Sequence, residues 1–174
     1  LFACPLCKSK VAFEKNALAC KCGRKFPLEN GIPVFFGSEE KRKFYETRYG
    51  PAYAGHSLNE NDLVKLEKSV GFVMKTAGRK IGNLLDIGCN PAMTKALAER
   101  TGARSVGLNV TPKGMYAEME WAICDIDMGL PFADRSFDLI FCGDIIEHTL
   151  DTDYFVSEMG RVMKEGAFLI ITTP

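Results

Sequence analysis

The sequence predicts an α/β fold: a doubly wound parallel sheet with a small cysteine-rich module ahead of it. Two patterns point there. From residue 83 onward, short apolar β runs alternate with helical runs, and strands joined by helical crossovers pair in parallel with helices on both faces. Ahead of them, four of the seven cysteines fall within residues 4–22, a segment too small to build a core of its own. Composition agrees. The 174 residues are 47% hydrophobic and 25% charged, which excludes collagen-like, disordered and low-complexity chains. No stretch approaches the roughly 18 apolar residues of a membrane span. Cys4-Pro5-Leu6-Cys7 interrupts any signal peptide at the start.

The first element is the cysteine cluster. Cys4, Cys7, Cys20 and Cys22 read C-x2-C, twelve residues, C-x-C. Two close pairs on facing turns bring four thiolates into a tetrahedron about 2.3 Å from Zn²⁺. With all four positions filled such a metal is structural, and it supplies much of the segment's folding free energy. A disulfide reading needs a secreted chain, and an odd cysteine count without a signal argues instead for the cytoplasm. The run from Cys20 through Gly23, Phe26-Pro27 and Gly31-Ile32-Pro33-Val34 resembles the zinc-ribbon module found beside methyltransferase domains, C-x2-C-G-x2-[YF]-P-x3-G-I-P. Here the second cysteine pair is one residue tighter. Gly31 supplies a φ > 0 turn, and residues 32–36 are expected to leave as a short apolar edge strand.

Residues 38–82 connect this module to the sheet. Ser38 is an N-cap ahead of Glu39 and Glu40, acids suited to a first turn, and the helix breaks at Tyr49-Gly50-Pro51. A second amphipathic helix over residues 61–76 places Leu63, Leu66, Val70 and Val73 on one face. Both helices are expected to pack on the following domain. In methyltransferases such helices also cover the cofactor or meet the acceptor, which singles out Tyr45, Tyr49 and Tyr53. His56 has no partner at metal spacing and reads as a solvated loop residue.

The sheet elements follow in order. Residues 83–88 form a buried strand ending in a turn. Residues 91–101 are helical, with Pro91 at the start and Gly102 closing the helix. Strands are expected at 105–108, 120–124 and 137–142. A helix spans 151–164, ended by Lys164-Glu165-Gly166, and a fifth strand spans 167–172. Ligands of such sheets sit at the carboxyl ends of the strands, where strand order reverses.

The loops narrow the reading. Leu84-Leu85-Asp86-Ile87-Gly88-Cys89-Asn90-Pro91-Ala92 resembles motif I, [DE]-x-G-x-G-x-G, of class I S-adenosylmethionine methyltransferases. Residues 130–140 resemble the same family's L-P-F-x-D-x-S-F-D-L-[IV]. Asp144-Ile145-Ile146-Glu147-His148, followed by residues 158–174, resembles its D-[VIL]-L-E-H and E-x-x-R-V-L-K-P-G-G-x-L segments. The matches run in order across most of residues 83–174. They imply a Rossmann-like sheet in the order 3-2-1-4-5 and S-adenosylmethionine as cofactor.

The same resemblance assigns cofactor contacts. Asp86 meets the methionyl ammonium, with Gly88, Cys89 and Asn90 in the loop beside it. Asn109 faces the ribose, Asp125 receives the adenine amino group with Ile126 beside the ring, and Gly143 and Asp144 close over the methionyl part. Two family glycines are replaced by Asn90 and Ala92; Asn tolerates φ > 0 and Ala adds only a methyl. The family's ribose-binding acid is replaced by Asn109, which lacks the charge. About ten residues, 110–119, link strands two and three, near the lower limit for a crossover.

The sulfonium of this cofactor is already activated, so such a domain chiefly aligns an acceptor and removes a proton. Glu147 and His148 are the nearest candidate bases. Helix capping, or an acidic Mg²⁺ site resembling that of quinone-type O-methyltransferases, is the competing account of that segment. The loop is not the N-P-P-Y type of enzymes that methylate exocyclic base amines. Cys89, Cys124 and Cys142 fall near strand ends, but two strand spacings separate the first and third strands, so they read as small buried hydrophobes. A nicotinamide oxidoreductase would need glycine where Asn90 and Met93 stand.

The expected organisation is a zinc ribbon at 1–37, a helical connector or cap at 38–82 and an S-adenosylmethionine-binding domain at 83–174. Charge splits along the same lines, +4, +3 and −7, within a net charge of zero. Four thiolates on Zn²⁺ lower the ribbon to about +2. A basic front suits attraction to the acidic domain or an anionic acceptor such as RNA. A ribbon ahead of such a domain also resembles bacterial ribosomal-RNA guanine methyltransferases, whereas small-molecule and glycan-pathway enzymes carry the same parts. The acceptor is therefore RNA or a small molecule, with no membrane partner; the alternative is a non-catalytic binding or scaffold protein. The motifs end with strand five, where the family sheet continues with two more strands. That makes the domain C-terminally short and leaves the strand-five edge to a homodimer partner or another chain.

Overall fold

The computed structural model describes residues 1–49, 57–111 and 119–174. Tyr53, His56 and most of the link between strands two and three lie outside the described residues. The N-terminal module is a meander of β1 (Val11–Glu14), β2 (Ala17–Cys20), β3 (Lys25–Glu29) and β4 (Ile32–Phe35). Asn30 and Gly31 turn β3 into β4 with φ of 50° and 82°, the two-residue geometry that matches the twist of a hairpin.

Five parallel strands follow: β5 (Asn83–Ile87), β6 (Arg104–Asn109), β7 (Glu120–Cys124), β8 (Phe137–Gly143) and β9 (Met163–Thr172). They pair as β7-β6-β5-β8-β9, the expected 3-2-1-4-5 order. The expectation of an edge strand at residues 32–36 is corrected. Ile32 and Pro33 pair with β3, but Val34 and Phe35 pair in parallel with β7, so β4 joins the module to the main sheet. The change of partner falls just after Pro33, whose missing N–H limits the ladder it can support on either side.

Helices α1 (Glu39–Tyr49), α2 (Glu60–Thr76), α3 (Pro91–Thr101) and α4 (Thr152–Val162) complete the fold. Asn59 and Asp62 form a capping box that starts α2. Its Leu66, Val70 and Val73 are buried, but Leu63 is not, because the first turn reaches past the core. Asn90 caps α3, and Gly102 at φ 66° closes it. The second correction concerns Lys164-Glu165-Gly166, expected to end a helix. α4 stops at Val162 and the chain passes directly into β9, with Gly166 at φ 68° where the register against β8 shifts. An inserted stretch of this kind is a strand irregularity, not a helix cap.

The core has two layers. One face of the sheet packs against α2 and α3 through Leu66, Val73, Leu84, Leu97 and Leu139. The other packs α4 and the N-terminal module together, so that Leu18, Phe26 and Phe35 share one apolar cluster with Phe132, Phe137 and Phe155. A segment without enough apolar surface for its own core has borrowed the domain's. No helix among the described residues is long and apolar enough to cross a membrane.

Part of the basic front is spent on this contact. Lys8 reaches the buried Glu158 of α4 at 2.7 Å, and Glu158 is also held by Arg161 at 2.8 Å and by the Leu130 amide at 2.8 Å. Burial raises the Glu158 pKa, but the bonds from Arg161 and Lys8 outweigh it and hold the carboxyl below its ordinary range. Lys8→Met leaves Arg161 in place and is expected to cost about 1–3 kcal/mol in chemical denaturation. A depressed carboxylate adds stability above its unfolded pKa and loses it as pH falls through the folded one. The Lys8→Met deficit should therefore shrink in acid.

Candidate cofactor cleft and metal site

The carboxyl ends of β5, β6 and β8 face two open clefts of about 730 and 660 Å³ that share Gly88 and Ile145 as a dividing wall. This is the point where the order of connection reverses, from β5 to β6 on one side and β5 to β8 on the other. Gly88 has φ 74°, and a Cβ there would overlap the Ile145 side chain. Its amide and that of Cys89 donate to the Leu108 carbonyl at 2.8 and 3.1 Å, which ties the loop to β6. Glycine is needed here twice, for the turn and for the close approach of Ile145.

The second cleft holds most of the acids. Asp86, at the end of β5, is 2% exposed and accepts a hydrogen bond from the Thr94 hydroxyl. Burial pushes its pKa up to about 7, against the opposing Thr94 bond. Asn90 lines the same cleft but has φ −94° and ψ 121°, so the position needs no left-handed residue. Its side chain instead accepts from the Ala92 amide at 3.0 Å as the cap of α3. Asp144, at φ 54°, accepts from Thr172 at 3.0 Å and from Lys65 of α2 at 2.6 Å. The Lys65 bond holds the Asp144 carboxyl below its usual range. Gly143 also lines this cleft; a Cβ there would press on the Phe141 ring.

The first cleft is more apolar, walled by Tyr45, Tyr49, Leu108, Asn109, Ile126 and His148. Tyr45 and Tyr49 stack at 5.9 Å between centroids, and Tyr49 lies 6.1 Å from the His148 ring. Asn109 is 4% exposed with both ends of its amide engaged: Nδ2 donates to the Cys89 carbonyl at 2.9 Å and Oδ1 accepts from the Val110 amide at 2.7 Å. Two expected cofactor contacts, Cys89 and Asp125, lie outside both cleft linings. Cys89 is buried with its sulfur toward Gly107. Asp125 is capped by Lys41 of α1, 2.7 Å from its Oδ2, while its Oδ1 accepts from the Asp127 amide. Glu147 and His148 are both exposed, but only His148 lines a cleft, the first. Lys41, Lys65 and Ile145 were not singled out from the sequence, because each lysine meets an acid about 80 residues away and no local spacing marks such a pair.

The four N-terminal thiols come together. The sulfurs of Cys4, Cys7, Cys20 and Cys22 all lie within 4.8 Å of one another, with Cys4 to Cys22 at 3.9 Å and Cys7 to Cys20 at 3.4 Å. Tetrahedral thiolates about 2.3 Å from a zinc ion are separated by about 3.8 Å, so the donor set fits such an ion. The Cys7 thiol is drawn down to about 6, first by the Ser9 amide and hydroxyl and then by Cys20. Cys89, Cys124 and Cys142 are buried far along the chain from this cluster, consistent with small apolar side chains.

A family model described as a methyltransferase domain matches residues 85–171, half of the chain. The chain belongs to the methyltransferase domain family. The match covers β6 to β8 whole and the cleft residues from Asp86 to Asp144, and it agrees with the class I resemblance in family and fold. Methyltransferase GfsG of Streptomyces halstedii is 32% identical over 133 residues, 69% of this chain and 44% of its own length. The probable chloroplastic tocopherol O-methyltransferase of Oryza sativa subsp. japonica is 25% identical over 151 residues, 79% of this chain and 41% of its own. The chain thus spans less than half the length of these two relatives. In fold, the chain is similar to the crystal structure of Burkholderia thailandensis 1,6-didemethyltoxoflavin-N1-methyltransferase with bound 1,6-didemethyltoxoflavin and S-adenosylhomocysteine. The TM-score is 0.57 at 12% identity, covering 90% of this chain and 72% of that one.

Proposed function

We propose that the chain binds S-adenosylmethionine across the two clefts and transfers its methyl group to an acceptor in the cytoplasm. One observation carries this: Asp86, a buried acid at the switch point, opens on a cleft and has no cation on it among the described residues. A carboxylate left in that state is costly, and a cationic ligand group would relieve the cost. Asp86 would hold the methionyl ammonium, Gly88 would admit the backbone approach, and Gly143 and Asp144 would flank the methionyl part. Ile126 would lie beside the adenine, with Asp125 as its polar partner. The cofactor supplies an activated methyl on sulfur, and the chain's task is to orient the acceptor and take its proton. His148, on the wall of the first cleft, is the base we favour over Glu147, which lines neither cleft.

The acceptor we favour is a small molecule carrying a flat ring. The Tyr45, Tyr49 and His148 wall suits stacking, and one relative is named for tocopherol. The RNA reading rests on the basic front, of which Lys8, Lys25 and Arg42 are already tied to Glu158, Glu14 and Glu29. A second reading, a non-catalytic binding protein, is supported by Asn109, uncharged and with both amide groups already engaged. We assign a structural zinc ion to Cys4, Cys7, Cys20 and Cys22, and keep the division into ribbon, connector and domain. β9 ends the sheet order among the described residues, and its outer edge is where a second copy or another chain would add. Calorimetric titration with S-adenosylmethionine and S-adenosylhomocysteine tests the main reading. Micromolar affinity followed by label transfer in an acceptor screen is expected; no heat at millimolar ligand favours the binding protein. Elemental analysis without zinc would remove the metal assignment.

A further inference from the structure

We propose that Lys41 and Lys65 gate the cofactor site, each placing an ammonium on an acid that a donor group of the cofactor would otherwise take. This rests on the cofactor reading above and adds a gate to it. The two pairs lie at opposite ends of the proposed ligand and differ in burial. At the adenosine end, Lys41 of α1 sits 2.7 Å from Asp125 and 3.0 Å from Asp127, and Asp125 is left 2% exposed and outside the cleft lining. At the methionyl end, Lys65 of α2 sits 2.6 Å from Asp144. Asp86, in the same cleft as Lys65, carries no such cation among the described residues. The adenine amino group and Lys41 compete for Asp125, and the methionyl ammonium and Lys65 compete for Asp144.

The helix that carries Lys41 is suited to moving. α1 buries no residue, and its described attachments are made by side chains at its surface. Those are Lys41 on the two acids, Arg42 on Glu29 of β3, Tyr45 against Phe36, and Tyr49 beside His148. Elements held this way lie at the low-stability end of a fold. The same helix is bound to the N-terminal module through Glu29, and the Asp125 amide donates to the Phe35 carbonyl of β4 at 3.0 Å. Ligand binding and the seating of α1 on the module are therefore linked. A ligand that must first open such contacts binds with an affinity reduced by the fraction of open molecules.

Two ligands separate the two lysines. S-adenosylhomocysteine carries both the adenine and the amino-acid tail; 5′-methylthioadenosine carries only the adenine. In calorimetry, Lys41→Met is expected to tighten both ligands by about tenfold, because a nearly buried acid is uncovered. Lys65→Met is expected to tighten S-adenosylhomocysteine by about threefold, since that pair is partly exposed, and to leave 5′-methylthioadenosine unchanged. Binding to wild type that stays equal or weakens in both variants overturns the gate and leaves the cofactor reading standing. Equal shifts for both ligands in both variants also overturn it, since general loosening would do that. Binding by the variants but not by wild type supports the gate in its strongest form. Silence from wild type and both variants sinks the cofactor reading, and the gate with it.

Discussion

Asp86→Asn should make the ligand-free protein more stable above neutral pH while removing most of its affinity for S-adenosylhomocysteine. The two effects share one cause. Burial raises the Asp86 pKa to about 7 from an ordinary 3.8, so the folded state holds its proton more tightly than the unfolded state. Stability from this group is greatest below about pH 4, falls as pH rises to about 7, and is flat beyond. The neutral amide of the Asp86→Asn variant has no such decline and can still accept the Thr94 hydroxyl. The pKa difference sets a ceiling of about 4 kcal/mol, and water in the adjoining cleft lowers the expected gain to about 1–3 kcal/mol. Thermal melts of the two proteins across pH 4.5 to 8 measure it, with the gap small in acid and widest in base.

Binding runs the other way. A ligand ammonium needs the carboxylate, so wild-type affinity should rise with pH through about 7, and Asp86→Asn should lose about 100-fold, the scale of one buried charged partner. A variant that gains stability without losing affinity would show that Asp86 is a strained core acid and not a binding group. A variant that loses both would point to a structural role for the charge.

Removing the metal-site thiols is the other large effect. Cys4→Ser, or chelation of the wild-type protein, is expected to unfold the N-terminal module and the parallel sheet in a single step. Structural zinc contributes on the order of 10 kcal/mol to small metal-held units, and here that unit is spliced into the sheet. β4 pairs with β7, and Leu18, Phe26 and Phe35 share the cluster that includes Phe132 and Phe155. The single tryptophan, Trp121, lies buried in β7 beside that splice. Its fluorescence should fall together with far-ultraviolet ellipticity in one transition. Two transitions, with tryptophan unaffected in the first, would mean that the module folds on the sheet without supporting it.

How much of this was legible beforehand depends on the range of each interaction. The β–α alternation from residue 83, Pro91 and Gly102 at the two ends of α3, and the turn at Gly31 are local patterns, and they correspond closely to the observed elements. The four cysteines could be read from spacing alone, and they do converge. The helix end at Gly166 failed because the same glycine serves a helix terminus or a strand irregularity, and pairing with β8 decided between them. Asn90 was tolerated for a left-handed turn that the structure does not use; the side chain caps α3 instead.

By itself, the sequence determined the parallel sheet, its likeness to methyltransferases, the acid and glycine of the first loop, and a thiol set suited to a metal. Each rests on residues near one another in the chain. Only the tertiary structure decided that β4 continues the main sheet, that the module shares the domain's core, and that lysines from α1 and α2 cover Asp125 and Asp144. The physical reason is the same in all three. A small module cannot bury its apolar residues alone, and a nearly buried carboxylate such as Asp125 needs a counter-charge. Which distant strand or lysine answers is settled by the packed fold and leaves no local trace.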